Sequence, residues 1–74
     1  MNLYDNKDWY YMLAFTKSAG FGSYSRVVFA ENKKTARKKV DDWCKKNNAE
    51  MSLLMKNNYI VKSQALVNSG HYIK

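Results

Sequence analysis

The chain contains no proline, one cysteine, one histidine and only six acidic residues among its 74. Each scarcity removes a class of explanation. With no proline and just three glycines, no linker of the usual composition divides the chain, and no internal repeat or low-complexity tract is visible. A single cysteine, Cys44, rules out an internal disulfide framework and fits a reducing compartment. One Cys and one His cannot close a four-ligand zinc site, so neither a metal nor another cofactor is expected. The longest apolar run, Trp9 to Phe15, is far short of the roughly 20 residues that span a bilayer. Residues 1 to 8 also lack the basic-then-apolar pattern of an export signal. The expectation is a cytoplasmic protein with no membrane partner.

What is present argues for a compact fold. A hydrophobic fraction of 46% with eleven aromatic residues is too rich for a disordered tail. A chain this short buries only about 60% of its unfolded surface, which allows one core and modest stability. Thirteen basic residues give a net charge of +7, and so basic a surface favours polyanions or acidic protein patches. Codon composition is a rival source of that charge, since eleven Lys and eight Asn make up about a quarter of the chain. Arginine, the usual reader of phosphates and guanines, occurs only at Arg26 and Arg37.

Residues 1 to 8 read as a polar lead-in, and 9 to 74 as a single α+β domain. WYYMLAFT, 9 to 16, has two usable apolar faces and predicts a well-covered strand. The stretch KSAGFGSYS predicts a long hairpin loop into a second strand over about 24 to 30. From 33 to 47 the period becomes helical: Ala36, Val40, Trp43, Cys44 and Asn47 share one arc, with Lys34, Lys38, Asp41 and Lys45 opposite. Asn32 suits the N-cap, and Asn47-Asn48 the stop. MSLLMK and YIVKSQAL, separated by Asn57-Asn58, predict two further strands, although AEMSLLMK also has helix propensity. HYIK either pairs as a last short strand or trails off. The predicted architecture is ββαββ, an antiparallel sheet of four strands, five if HYIK pairs, with one helix on one face. Leu13, Phe15, Val27, Phe29, Val40, Trp43, Leu53 and Val61 form the predicted core. Alternation then leaves Tyr10, Met12, Tyr24, Arg26, Lys56, Lys62 and Gln64 on the open face.

The helix has a charge order that works against its own stability. Lys33, Lys34 and Arg37 occupy the first turns, where the positive end of the helix dipole costs about 0.3 kcal/mol or more each. Cations beside unpaired backbone N–H groups make an anion site, and Lys33, Lys34, Arg37 and Lys38 are the first candidates for binding. Codon bias accounts for exposed lysines equally well. The open sheet face is the second candidate: Tyr10 and Tyr24 could stack on unpaired bases while Arg26 follows the backbone, or all three could anchor a protein interface. GFGSYSR resembles the glycine-aromatic submotif of RNA-recognition domains but departs from it at Ala19 and Ser23, which favours a plain hairpin loop. It lacks the Gly-Lys-Ser/Thr ending of a phosphate loop as well. Catalysis has little to draw on, because His71 has no evident partner, Cys44 falls on the buried stripe, and Asp41 and Asp42 are flanked by lysines. No catalytic residue is expected.

The order of elements, with VVFAENKKTARKKVDDWC as its most recognisable part, resembles small phage and mobile-element proteins such as anti-CRISPR proteins. The likeness is one of layout, without a motif matched residue by residue. It implies a phage-encoded protein in the host cytoplasm that blocks a host complex by occupying a surface. The leading expectation is a non-enzymatic binding module that engages nucleic acid or a host nucleoprotein complex through its basic helix. The alternative is a protein-directed inhibitor that uses the same charge to meet an acidic protein surface and leaves free nucleic acid alone. Self-association, as a homodimer or through unprotected sheet edges, remains open too.

Overall fold

A computed structural model describes residues 2–17 and 22–74. The elements are β1 (Trp9–Thr16), β2 (Ser23–Phe29), α1 (Lys33–Asn47), β3 (Ala49–Lys56), α2 (Ile60–Asn68) and β4 (Tyr72–Ile73). They form a small α+β fold whose four-stranded sheet has the order β3-β1-β2-β4. Central β1 pairs antiparallel with β2 and β3, from Trp9↔Phe29 to Phe15↔Ser23 on one side and from Tyr10↔Lys56 to Thr16↔Ala49 on the other. The expected hairpin is therefore formed, while residues 18–21 of its loop lie outside the described residues.

Two details differ from the sequence reading. YIVKSQAL is helical and not a strand, and the sheet is mixed, because β4 pairs parallel with β2 at Val27↔Tyr72 and Val28↔Ile73. The turn before α2 shows the cause of the first difference. Asn57 and Tyr59 both take the left-handed conformation, with φ of 48° and 54°. The Ser63 hydroxyl then donates to the Asn58 carbonyl at 3.1 Å and its N–H to the Tyr59 carbonyl at 2.7 Å, closing the first helical turn. Ile60, Ser63, Leu66 and Val67 follow at spacings of three and four, which places them on one helical face.

The second difference follows from the first. Parallel strands need a long crossover and cannot be joined by a tight turn, and α2 supplies it between β3 and β4 as α1 does between β2 and β3. The two crossovers travel in opposite directions across the sheet, so a common handedness sends their helices to opposite faces.

Both faces are accordingly packed. On one, Tyr10, Met12, Ala14, Val28 and Leu54 lie against Ala36, Val40 and Cys44 of α1. On the other, Trp9 and Val27 lie against Val67, Ile60 and Leu66 of α2 and against Leu3. The face assignment made from alternation is thus reversed for α1: Tyr10 and Met12 are core residues beneath the helix, whereas Phe15 is 46% and Val61 74% exposed. Residues 2 to 8 are part of the packed body, since Leu3 is 2% exposed and its N–H donates to Gln64 Oε1 at 2.7 Å. Among the described residues no helix is long and apolar enough to cross a membrane.

Candidate functional site

The basic helix is built and capped as its sequence suggests. Asn32 holds extended backbone angles, and its side-chain oxygen accepts the Thr35 N–H at 2.8 Å. At the far end Asn48 adopts the left-handed conformation and returns its N–H to the Cys44 carbonyl. The first turn contains no acidic residue, and Lys33, Lys34, Arg37 and Lys38 are all exposed. The Asn32 side chain meets one orphan donor of this end; Lys33 and Lys34 lie in the first turn and Arg37 and Lys38 in the second, while Glu31 precedes the cap and, with Asp8, lines the same hollow as Thr35. Lys45 and Lys46 lie in the last turn, where their charge suits the helix dipole. With seven basic and two acidic residues, α1 carries five of the seven net positive charges of the chain.

The other expected site residues separate. Tyr10 is 3% exposed under α1 and presents nothing to a ligand. Tyr24 and Arg26, though on the face that α1 covers, lie toward its margin and are only half-buried. There they meet Trp43, which the sequence reading placed in the core. The Arg26 guanidinium is 5.6 Å from the Tyr24 ring centre and 5.4 Å from that of Trp43, and it donates to its neighbour Ser25 O at 2.8 Å. The two rings meet edge to face, 5.2 Å apart. Trp43 sits on the flank of the helix's buried arc, and that intermediate wheel position was the available signal of a surface role.

Trp43 also lines a shallow cavity of about 240 Å³ with Lys39, Asp42, Lys46, Ile73 and Lys74. Lys39 is held in place by donating to the Phe29 carbonyl at 2.7 Å. This flank of α1 thus joins an aromatic ring to three lysines and one aspartate. On the opposite flank, Lys17, Asp41, Cys44, Lys45 and Glu50 surround a second hollow. Burial, aided by Asp41 and Glu50 against the opposing pull of Lys17, raises the Cys44 thiol above its ordinary pKa, which keeps it protonated and a poor nucleophile.

A polar cluster missed in the sequence reading lies on the far face of the sheet. The Tyr11 hydroxyl and Ser25 Oγ are 3.2 Å apart, the Lys62 ammonium lies 5.5 Å from the Tyr11 ring centre, and the exposed Tyr59 ring packs on Tyr11 at 4.9 Å. No pattern in the primary structure links Tyr11 to Lys62, because their meeting depends on α2. The geometry defines a small α+β protein with one strongly basic helix and a cation-aromatic margin. No family model, curated protein or solved structure matches the chain.

Proposed function

We propose that the protein is a non-enzymatic binding module that engages the phosphate backbone of nucleic acid, free or within a host nucleoprotein complex, through α1. The supporting observation is the exposed quartet Lys33, Lys34, Arg37 and Lys38 around a helix start with no acidic residue in its first turn. A phosphate there relieves repulsion that the helix otherwise bears, so the same arrangement that costs stability favours binding. Arg26, Tyr24 and Trp43 extend the surface along the helix flank, where a sugar or base can rest against the half-buried ring of Trp43.

Fluorescence anisotropy with labelled single- and double-stranded oligonucleotides over a salt series tests this. Four phosphate contacts give a slope of about −3 to −4 in log K against log salt. Absence of binding at low salt, together with nuclease-resistant capture of an acidic protein from bacterial lysate, would instead establish the protein-directed inhibitor.

A further inference from the structure

The sheet face opposite α1 is only half covered. Trp9 and Val27 lie under α2 and Leu3, but Leu13, Leu53 and Met55 belong to neither core cluster, and Phe15 beside them is 46% exposed. Register places Leu13 opposite Leu53, Tyr11 opposite Met55 and Phe15 opposite Glu50, all on this face. Tyr59, 53% exposed and packed on Tyr11 with ring centres 4.9 Å apart, continues the apolar surface to the turn before α2. Contiguous apolar surface of this kind marks an interface.

We infer that this patch is the contact surface of a symmetric homodimer, with a second copy of the chain as its occupant. Charge argues for that choice in two ways. Five of the seven net positive charges sit on α1, across the sheet from the patch, so two copies can meet here with most of their mutual repulsion directed outward. Within the patch the charged groups are of opposite sign at opposite ends: Glu50 faces across from Phe15, and the Lys62 ammonium lies over the Tyr11 ring. Tyr11 and Phe15 are four residues apart on β1, about 13 Å of strand. A twofold axis near Leu13 that lies in the interface perpendicular to β1 exchanges these two ends and sets Glu50 of each copy against Lys62 of the other, the self-complementarity that an isologous contact requires.

Edge pairing is the competing route to self-association, and β3 argues against it. Its register slips between Leu13 and Ala14, leaving Ser52 without a partner, and a bulge of this kind on an outer strand disrupts the regular ladder a second strand would extend. An ordinary interface takes about 800 Å² from each partner, roughly a sixth of this chain's 4849 Å² surface. A smaller contact is what half a sheet face offers, which puts this dimer among weak transient associations.

The inference is independent of what α1 binds. Sedimentation equilibrium over a concentration series reaching the range of weak transient associations is expected to show an apparent mass rising from 8.7 kDa toward twice that value. Phe15→Lys, at an exposed position, is expected to weaken association at least tenfold with an unchanged thermal midpoint. Glu50→Lys or Lys62→Glu alone is expected to weaken it, and the double exchange to restore it. A protein that stays monomeric throughout, a dimer indifferent to Phe15→Lys, or failure of the double exchange to restore association would each overturn the assignment. Loss of oligonucleotide binding in Phe15→Lys while the wild type remains monomeric would do the same, by making this face a nucleic-acid surface.

Discussion

The Arg26 guanidinium lies 5.4 Å from the ring centre of Trp43, so a strand residue and a helix residue 17 positions apart share one contact at the margin of the sheet. Tyr24 completes the cluster from two residues earlier on β2. A partly exposed cation–aromatic contact is worth about 0.5 to 1 kcal/mol. With two rings engaged, Arg26→Met is expected to cost about 1 kcal/mol, a fall of about 4 to 8 °C in the thermal midpoint of a domain this small. Lysine keeps the charge but not the planar group that stacks on both rings, so Arg26→Lys is expected to fall between the wild type and Arg26→Met. Equal midpoints for the wild type and Arg26→Met would show that the cluster contributes nothing to stability.

Opposite outcomes are expected from three apolar truncations. Met12 is fully enclosed beneath α1 and Leu3 is 2% exposed on the other side, so Met12→Ala and Leu3→Ala should each cost about 2 to 5 kcal/mol, enough to unfold much of a small domain. Phe15→Ala, at a residue 46% exposed, should cost less than about 1 kcal/mol. Denaturant titrations of the three variants check this, and a Phe15→Ala penalty equal to that of Met12→Ala would restore the original face assignment.

Those truncations also mark where the primary structure stops being informative. The residues of β3 left strand and helix both open, but β1, β2 and α1 were legible because each carries its own period, and Asn32 and Asn48 because cap chemistry is local. Which face of β1 meets α1 was not. Tyr10, Met12 and Ala14 are as apolar as Trp9, Tyr11, Leu13 and Phe15, and alternation separates two such sets without saying which one a helix will cover. The answer depended on α2, whose opening Tyr59-Ile60-Val61 resembles a strand until the left-handed turn and the Ser63 hydroxyl are taken into account. Losing α2 hid the second core, the role of Leu3, and the meeting of Tyr11 with Lys62. On α1 the helical wheel was enough for Lys34 and Lys38, Lys33 and Arg37 were picked out by their place in the first turns, and the Trp43 cluster needed β2 placed beside it.

Tyr11 gives a pH signature. Burial of its ring pushes the hydroxyl pKa up, but Ser25 and the Lys62 ammonium together outweigh that and leave it below the ordinary value. In an absorbance titration one of the six tyrosines should therefore ionise ahead of an ordinary one. Tyr11→Phe should delete that step, and Lys62→Met should move it upward. Because the folded-state value is the lower one, the stabilisation is fully present above the unfolded value of about 10, and it is lost as pH falls through the folded-state value. At neutral pH the phenol is protonated in both states and contributes nothing by this route. The stability difference between wild type and Tyr11→Phe should consequently grow as the solution is made alkaline, and a difference constant over that range would remove Lys62 and Ser25 as the cause.

Binding and stability can be separated on α1 itself, because its cations and its cap act on the same helix end with opposite sign. Lys34 stands in the first turn, near the positive end of the dipole, and Arg37 and Lys38 in the next, so replacing all three with glutamine removes an unfavourable interaction of about 0.3 kcal/mol or more at Lys34 and less at the other two. The thermal midpoint should hold or rise slightly. If the helix start grips phosphates, the same triple variant loses about 2 to 3 units of slope in log K against log salt, and at least tenfold in affinity at low salt. Asn32→Ala is the converse control. It removes the acceptor for the Thr35 N–H, which should cost about 1 kcal/mol of stability while leaving the four cations in place. A real site on this surface therefore yields one variant that folds normally and binds poorly, and another that melts early yet binds with nearly the wild-type salt slope below its transition. Should both variants lose affinity in proportion to lost stability, the helix contributes a folded scaffold and the phosphates are held elsewhere.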